Sequence, residues 1–257
     1  MKKITVLFCL MASLSASTIG QEHAFKAGEK ITYVVFYNVI GLYVNAGTAT
    51  FTTTKSTFNN QEVFHVVGEG ITNKSYDWIF KVRDRYESYF KTDDLKPLKF
   101  IRNVNEGGYK KHEVVTFNHD ENVVITNNGV QKVPDEIQDV ISFLYYARNL
   151  DFDQYKKGDK ISFNMFLGEK VYSMYVRYMG KQTVTTRYGK FKALALRPLL
   201  LNGNTFSGGE DMTMWVTDDQ NHLPVRIESP ISVGKIKVDL MEFTDIKYPL
   251  SSLIKRQ

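Results

Sequence analysis

The sequence has almost no cysteine. Its single cysteine, Cys9, lies near the N-terminus of the 257-residue chain, inside a short apolar run. If residues 1–20 are removed, the remaining chain has no thiol at all. Disulfide bonds and thiolate metal sites are therefore excluded from it.

Long hydrophobic runs are also lacking. The run Ile4–Leu14 is shorter than the ~20 residues that a membrane-spanning helix needs. It follows Lys2-Lys3 and precedes small residues at Ser15-Ala16-Ser17 and Thr18-Ile19-Gly20, which is the order of a secretory signal peptide. The sequence therefore predicts a signal peptide over residues 1–20, no membrane span and a periplasmic location. A lipid anchor on Cys9 is not expected, because bulky residues precede it.

A strong charge of one sign is absent as well. Without residues 1–20 the chain keeps 31 of its 33 Lys and Arg residues and all 28 acids, a net charge of +3. Nucleic-acid-binding proteins concentrate basic residues on one face, whereas here they are scattered among acids. The composition therefore argues against a nucleic-acid partner.

Catalytic and metal-binding motifs are missing. The sequence has no G-x-S-x-G elbow, phosphate-binding loop or dinucleotide fingerprint, and its five histidines have no zinc-type spacing. We therefore expect no catalytic residues, no metal and no cofactor.

Strand patterns dominate what is present. Short runs rich in β-branched and aromatic residues are separated by Gly, Asn and Asp turns, and Asn127-Asn128-Gly129 and Tyr188-Gly189 have hairpin composition. An all-β chain of this length is commonly one domain, so we expect residues 21–257 to form a single, mostly antiparallel β domain. The sheet is expected to be curved, as a half-barrel or barrel-like sandwich. The predicted strands are 31–37, 48–54, 63–67, 82–90, 98–104, 113–117, 123–126, 161–167, 171–179, 191–196, 212–217, 225–227 and 235–243.

Two helices are predicted to interrupt the strands. A short one covers residues 75–80. The longer one covers residues 136–148, with Asp135 as its cap and Gln138 completing a capping box. It is apolar nearly all round, which is typical of a buried helix, so we expect it inside the curve of the sheet.

The two halves of the chain resemble each other. Residues 25–33 (FKAGEKITY) recur as residues 155–163 (YKKGDKISF), and the Asp-Asp turn before Pro97 recurs before Pro224. Either the turn chemistry of meandering sheets is reused or the segments 25–133 and 155–248 are an internal duplication joined by a helix. We favour duplication.

A candidate binding site follows from strand alternation. In an extended strand Asp84, Tyr86 and Ser88 share the inward face, and on the next strand Arg102 shares a face with Phe100. A buried carboxylate needs a partner, so we expect Asp84 and Arg102 to meet across neighbouring strands. The pair is either structural or the anchor of a ligand pocket lined by aromatic residues. The candidate binding residues are Asp84, Arg102, Tyr86, Trp78, Phe100 and Ser88.

The chain resembles the DUF3108 family of exported bacterial proteins of unknown function. The resemblance is carried by Gly28–Tyr33, Ala46–Ala49, Val82–Ser88, Asp139–Arg148 and Trp215–Asp219, among other segments. The family implies no activity that could be assigned to individual residues. A looser similarity of fold is to periplasmic lipoprotein carriers, which enclose a hydrophobic cavity.

Three functions remain open. The first is a non-enzymatic periplasmic protein that binds a lipid or other envelope amphiphile in the concave face of its sheet. The second is an envelope assembly or scaffold protein that contacts a partner protein. The third is a hydrolase of envelope polysaccharides that uses carboxylates such as Asp84 and Glu106, whose two carboxyl groups would have to be roughly 5–5.5 Å apart in a retaining enzyme.

Overall fold

The computed structural model describes residues 22–39, 41–78, 80–202, 207–231 and 234–257. The predicted signal peptide lies outside these residues. Within the part of the chain that is described, no helix combines the length and the apolar character that crossing a bilayer would require.

One large sheet forms most of the molecule. It contains 16 strands, and fifteen of them follow one another in the order β8-β7-β6-β5-β4-β3-β2-β1-β17-β16-β15-β12-β11-β10-β9, while β18 pairs with β12. The strands are β1 Lys30–Val39, β2 Leu42–Phe58, β3 Gln61–Thr72, β4 Arg83–Lys91, β5 Pro97–Glu106, β6 Tyr109–Asn118, β7 Val123–Thr126, β8 Gly129–Lys132, β9 Ile137–Gln138, β10 Lys160–Leu167, β11 Lys170–Thr185, β12 Gly189–Pro198, β13 Leu200–Asn202, β14 Ser207–Gly209, β15 Thr213–Thr217, β16 Pro224–Pro230, β17 Lys235–Thr244 and β18 Leu253–Arg256. Strands β13 and β14 form a separate two-stranded sheet.

The prediction of an antiparallel all-β fold is confirmed. Every predicted strand is present, and the pairs in the large sheet are antiparallel except β9 with β10. Both predicted hairpins form, between β7 and β8 and between β11 and β12. The strands that the sequence did not predict (β8, β9, β13, β14 and β18) have two to four residues each, too few for alternation to be recognised.

Two meanders of six strands each make up most of the large sheet. Strands β1 to β6 pair consecutively, and so do β10, β11, β12, β15, β16 and β17. We call these sets the first and second meander. They join where β1 pairs with β17. Their origin by duplication stays a prediction.

The α-helix α1, Val140–Ala147, is shorter than predicted and has a different cap. The Asp139 carboxylate accepts hydrogen bonds from the backbone N–H groups of Ile141 and Ser142 at 2.7 and 2.8 Å, and Ser142 Oγ accepts from Asp139 N at 2.9 Å. The prediction of Asp135 as the cap was wrong, because residues 137–138 are extended and pair with β10. The predicted helix at 75–80 is also wrong; a single 3₁₀ turn covers Lys74–Tyr76.

The helix lies between two apolar cores. Ile141 and Tyr145 pack in a core of the first meander, and Phe143 packs in a core of the second. A third core lies where the meanders meet and includes Ile31 and Leu240. The helix is therefore packed between the two meanders, buried over most of its surface but not at Tyr146, which is exposed.

Candidate functional site

The predicted polar residues do share one face of the first meander. Tyr86 lies opposite Arg102 and Ser88 lies opposite Phe100 in the register of β4 and β5. Asp84 is two residues before Tyr86 and therefore lies on the same face. The alternation argument thus identified the face correctly but not the partners of its charged groups.

Arg102 pairs with Glu113 and not with Asp84. The two residues lie directly opposite each other on β5 and β6, and Arg102 Nη2 is 2.7 Å from Glu113 Oε2. Glu113 is buried and also accepts a hydrogen bond from Gly168 N at 2.7 Å. Asp84 is only diagonal to Arg102, so the directly opposed acid forms the ion pair. The prediction that Asp84 is the partner of Arg102 was wrong.

Asp84 contacts a second carboxyl group instead. Its Oδ1 accepts a hydrogen bond from Asn105 N at 2.9 Å, and its side chain is close enough to that of Glu106 to affect the pKa of Glu106. Partial burial, followed by this contact with Asp84, raises the pKa of Glu106 to about 7. Glu106 therefore keeps its proton up to near-neutral pH, because partial burial and the neighbouring Asp84 both disfavour its charged form.

Ser88 forms a hydrogen bond with Asp139, the residue that caps the helix. Its hydroxyl donates to Asp139 Oδ2 at 2.6 Å, and both residues are fully buried. Burial raises the pKa of Asp139 to about 6, although the bonds from Ser88 and the helix N–H groups oppose this shift. Ser88 therefore attaches β4 to the start of α1.

The predicted aromatic pocket does not form. Trp78 is 83% exposed, whereas Phe100 is completely buried in the core of the first meander. Tyr86 packs against Phe100 with ring centroids 6.3 Å apart, and burial raises its pKa to about 12. Aromatic side chains fill the space in which the pocket was expected. Whether any of the six predicted residues binds a ligand stays a prediction.

A cavity of about 320 Å³ lies on the other side of the helix, in the second meander. We call it the apolar cavity. Its volume falls within the range of small-molecule sites, about 300–1,000 Å³, and none of the six predicted site residues lines it. The lining residues are Val140, Phe143, Leu144, Ala147, Arg148, Phe152, Phe163, Met165, Met174, Val176, Leu196, Pro198, Leu199, Leu200, Leu201, Met212, Met214, Val216, His222 and Pro224.

Methionine is concentrated around the apolar cavity. Four of the eight methionines in the chain line it: Met165, Met174, Met212 and Met214. Methionine side chains are flexible and polarisable, and they are used at binding surfaces that accept ligands of varied shape. Together with the run Leu199–Leu201, this enrichment is the sequence signal that could have located the cavity.

Two cavity-lining residues carry polar side chains that are fixed at the C-terminal end of α1. Arg148 bonds to both carboxylate oxygens of Glu29 at 2.6 and 2.9 Å, so its charge is neutralised behind the cavity. His222 Nδ1 lies 2.7 Å from Arg148 O, and a carbonyl can only accept, so Nδ1 carries the hydrogen. Burial lowers the pKa of His222, and in the neutral ring Nε2 is then a hydrogen-bond acceptor.

An ion pair fixes one wall of the apolar cavity. The segment that contains β13 and β14 supplies Leu200 and Leu201 to the lining. Just after β14, Glu210 bonds to Arg177 Nε at 2.6 Å and to the Tyr175 hydroxyl at 2.5 Å. Both partners are on β11, so this wall is attached to the neighbouring strand. Arg177 and Tyr175 lower the pKa of Glu210 to about 2.

A second depression has a similar volume, about 330 Å³, but a different lining. Six residues surround it, and Asn45 and Arg187 are among them. Volume alone does not separate the two spaces. The apolar cavity is the stronger candidate because twenty residues line it, thirteen of them on the helix and the second meander.

Solved structures support the fold. A β-barrel-like protein of the domain of unknown function DUF1849 from Brucella abortus is 8% identical, with a TM-score of 0.57, and the match covers 86% of this chain and 99% of that one. A putative exported protein with a YmcC-like fold from Bacteroides fragilis is 12% identical, with a TM-score of 0.34, and the match covers 86% of this chain and 97% of that one. The first likeness shows the barrel-like fold alone, and the second is too weak to support an argument.

The sequence comparisons give the family. No curated protein matches the chain. The profile of the family described as "Protein of unknown function (DUF3108)" matches residues 32–241, a segment that extends from β1 to β17 and so includes both meanders. The resemblance seen in the sequence is confirmed, and this chain belongs to the DUF3108 family.

Proposed function

We propose that this protein is a non-enzymatic, periplasmic binding protein that holds an apolar or amphipathic molecule of the cell envelope. The apolar cavity is the observation that carries the proposal. Its lining is almost entirely aliphatic, aromatic and methionine side chains, and such a surface favours an acyl chain or another apolar group by excluding water. The signal-like N-terminal sequence supports the envelope location.

The end of the ligand is proposed to lie near His222. Neutral His222 presents an acceptor nitrogen beside the cavity, while the charge of Arg148 is taken by Glu29. A hydroxyl or protonated carboxyl group could donate to this nitrogen, whereas an ionised headgroup would find no free positive charge there. The preferred ligand is therefore an amphiphile with a small, uncharged, hydrogen-bond-donating end.

Ligand retention tests the proposal directly. The protein would be purified from the envelope of its own host and weighed by native mass spectrometry. We expect a bound species with the mass of an envelope lipid that organic extraction removes. A chain that carries no apolar ligand after such purification would contradict the proposal.

A cavity-filling variant connects the ligand to the cavity. Val176→Phe places a ring in the cavity, and Val130→Phe is the matched control because Val130 is 67% exposed on β8. With Nile red as the apolar probe, we expect Val176→Phe to weaken binding at least about tenfold, equivalent to about 1.4 kcal/mol, and Val130→Phe to leave it unchanged. Ala147→Leu is a second, smaller filling variant. Equal affinity of filled and control variants would place the probe elsewhere.

The polysaccharide hydrolase is the weaker alternative. Asp84 and Glu106 are the carboxyl groups considered for it, and they are close enough for Asp84 to raise the pKa of Glu106. A retaining glycosidase separates its carboxyl groups by about 5–5.5 Å and an inverting one by more. Neither carboxyl group lines the apolar cavity, and Asp84 accepts a hydrogen bond from Asn105 N, so neither lies in the candidate ligand space.

A further inference from the structure

Four large apolar side chains are exposed together at one end of the first meander. They are Ile71 (45% exposed), Trp78 (83%), Phe80 (52%) and Tyr109 (50%). We call these four residues the aromatic tip. Contiguous exposed apolar patches on soluble proteins commonly mark an interaction site.

Backbone contacts hold two loops of the aromatic tip side by side. Gly107 N donates to Lys81 O at 2.9 Å, which joins the turn between β5 and β6 to the segment before β4. A Cβ atom at Gly107 would lie 2.3 Å from the ring of Phe80. Glycine at this position therefore allows Phe80 to lie directly over the turn.

The other two members extend from the adjoining strand ends. Ile71 lies opposite Arg83 in the register of β3 and β4, and Tyr109 lies opposite Glu106 across the turn. Val82, which follows Lys81, also bridges to Glu106. The tip is thus a set of adjacent turns and strand ends with a defined backbone. Ile71 pairs with Arg83 on the outward face and Tyr109 pairs with Glu106 on the face of Asp84, so these two side chains start from opposite faces at the end of the sheet.

Unpaired positive charge surrounds the aromatic tip. Lys74, Lys81, Lys110 and Lys111 flank it in sequence, and within the described ranges none of them forms an ion pair. The nearby acid Asp77 is neutralised by Arg83, with 2.6 Å between Asp77 Oδ2 and Arg83 Nη2. The four lysines outnumber the two described acids at this end that no ion pair neutralises, Asp84 and Glu106, so this end keeps a positive charge.

We propose that the aromatic tip and its four lysines dock the protein on a lipid bilayer that contains anionic lipids. Tryptophan and tyrosine favour the boundary between headgroups and acyl chains, and lysines near an anionic surface each contribute to binding. None of the four tip residues lines the apolar cavity, so the bilayer would contact a surface that is distinct from the proposed ligand site.

The shape of the aromatic tip favours a bilayer over a protein. A stable protein interface buries about 1,200–2,000 Å² of complementary surface in total. The exposed rings here project from separate turns, and Trp78 makes little contact with the rest of the protein. Projecting rings can enter a soft headgroup layer without a matching cavity, while the surrounding lysines contact phosphate groups.

Tryptophan fluorescence reports the docking at the tip itself. The chain has two tryptophans, and Trp215, whose Nε1 donates to Gln182 Oε1 at 3.0 Å, can be replaced by phenylalanine. In the full chain with Trp215→Phe, we expect the Trp78 emission to shift to shorter wavelength with vesicles of phosphatidylcholine and phosphatidylglycerol. Vesicles of phosphatidylcholine alone should give a much smaller shift, and added salt should weaken the response.

Matched variants test whether vesicle binding depends on the aromatic tip or is non-specific adsorption. In co-sedimentation with the mixed vesicles, we expect the combined change Lys74→Ser, Lys81→Ser and Lys110→Ser to weaken binding at least about tenfold. Trp78→Ser with Phe80→Ser should do the same. The controls are Lys156→Ser with Lys157→Ser, a solvent-exposed lysine pair just before β10, and Val130→Ser, an exposed apolar residue on β8.

The outcomes distinguish this proposal from the cavity proposal. The cavity variant Val176→Phe should bind vesicles like the unchanged chain, and the tip variants should still bind Nile red. Equal vesicle binding by tip and control variants, or a Trp78 emission that vesicles do not change, would overturn the bilayer proposal. A doubling of mass in solution that Trp78→Ser abolishes would also overturn it, because a second copy of the chain would then cover the tip.

Discussion

The turns that begin the two meanders have the same backbone bonds but place their acids in opposite environments. Gly28 N donates to Thr53 O and Gly158 N donates to Tyr178 O, both at 2.8 Å. Both glycines have positive φ, which favours glycine. Glu29 is completely buried against Arg148, whereas Asp159 is exposed to solvent. The backbone of a turn is thus fixed locally, while the role of its side chain depends on what packs over it.

The interiors of the two meanders differ in the same way. On the side of the first meander, Phe90 on β4 and Phe100 on β5 are almost completely buried, together with Phe25 before β1 and Phe166 from β10, and these rings fill the space beside the helix. On the side of the second, more flexible and aliphatic side chains leave the apolar cavity. The interior beside the first meander is therefore filled, whereas the second meander borders an unfilled space, which is the space proposed to hold a ligand.

The largest difference in unfolding free energy is expected when each of the two equivalent acids, Glu29 and Asp159, is replaced by alanine. Glu29→Ala leaves the Arg148 charge buried without its partner and should cost about 3–5 kcal/mol of unfolding free energy. Asp159→Ala removes an exposed side chain that accepts from Lys156 N at 2.8 Å, and should cost about 1 kcal/mol or less. Urea unfolding followed by circular dichroism measures both.

A double variant shows whether the cost arises from the isolated charge. Glu29→Gln with Arg148→Met replaces the ion pair by uncharged groups, so it should be much more stable than Glu29→Ala. Equal costs for Glu29→Ala and Asp159→Ala would show that the two turns have equivalent surroundings after all.

A smaller difference in unfolding free energy is expected when one valine in each interior is replaced by phenylalanine. Val66 is fully buried in the first meander, so Val66→Phe overpacks a filled core and should cost about 1–3 kcal/mol. Val176 lines the apolar cavity, so Val176→Phe should change the unfolding free energy of the ligand-free protein by less than about 1 kcal/mol. Thermal unfolding measures this, and a larger loss for Val176→Phe than for Val66→Phe would contradict an open second interior.

The smallest changes in unfolding free energy, about 1 kcal/mol or less, are expected from substitution of Glu106 and Glu210, whose pKa values shift in opposite directions. The raised pKa of Glu106 means that, between about pH 4.5 and 7, the folded state keeps a proton that the unfolded chain loses. Stability therefore falls as the pH rises through this interval. Glu106→Gln should remove this fall and stabilise the protein at about pH 8, with little effect at about pH 4.

Glu210→Gln should have the opposite sign. Because Arg177 and Tyr175 lower the pKa of Glu210 to about 2, its stabilising effect is complete above its ordinary pKa of 4.5 and is lost as the pH falls toward 2. The substitution should therefore lower stability at neutral pH and change little near pH 2. Melting temperatures across this range measure both variants, and two shifts of the same sign would contradict the contrast.

The sequence by itself determined the strands, the hairpins, the buried helix and the inward face of β4. These depend on the alternation of side chains and on turn chemistry, both of which are local. It also indicated the family and the repeated turns. Local patterns were sufficient because each of these features is set by residues close together in the chain.

Only the tertiary structure decided the partners of the charged groups and the position of the cavity. Arg102 pairs with Glu113 because strand register sets which acid lies directly opposite, and Asp139 rather than Asp135 caps the helix because residues 137–138 join the sheet. The apolar cavity exists because residues far apart in the chain, including Val140, Met174 and Met214, surround space that no side chain fills. Such a space depends on the sum of packed volumes across several strands, and no short stretch of sequence specifies it.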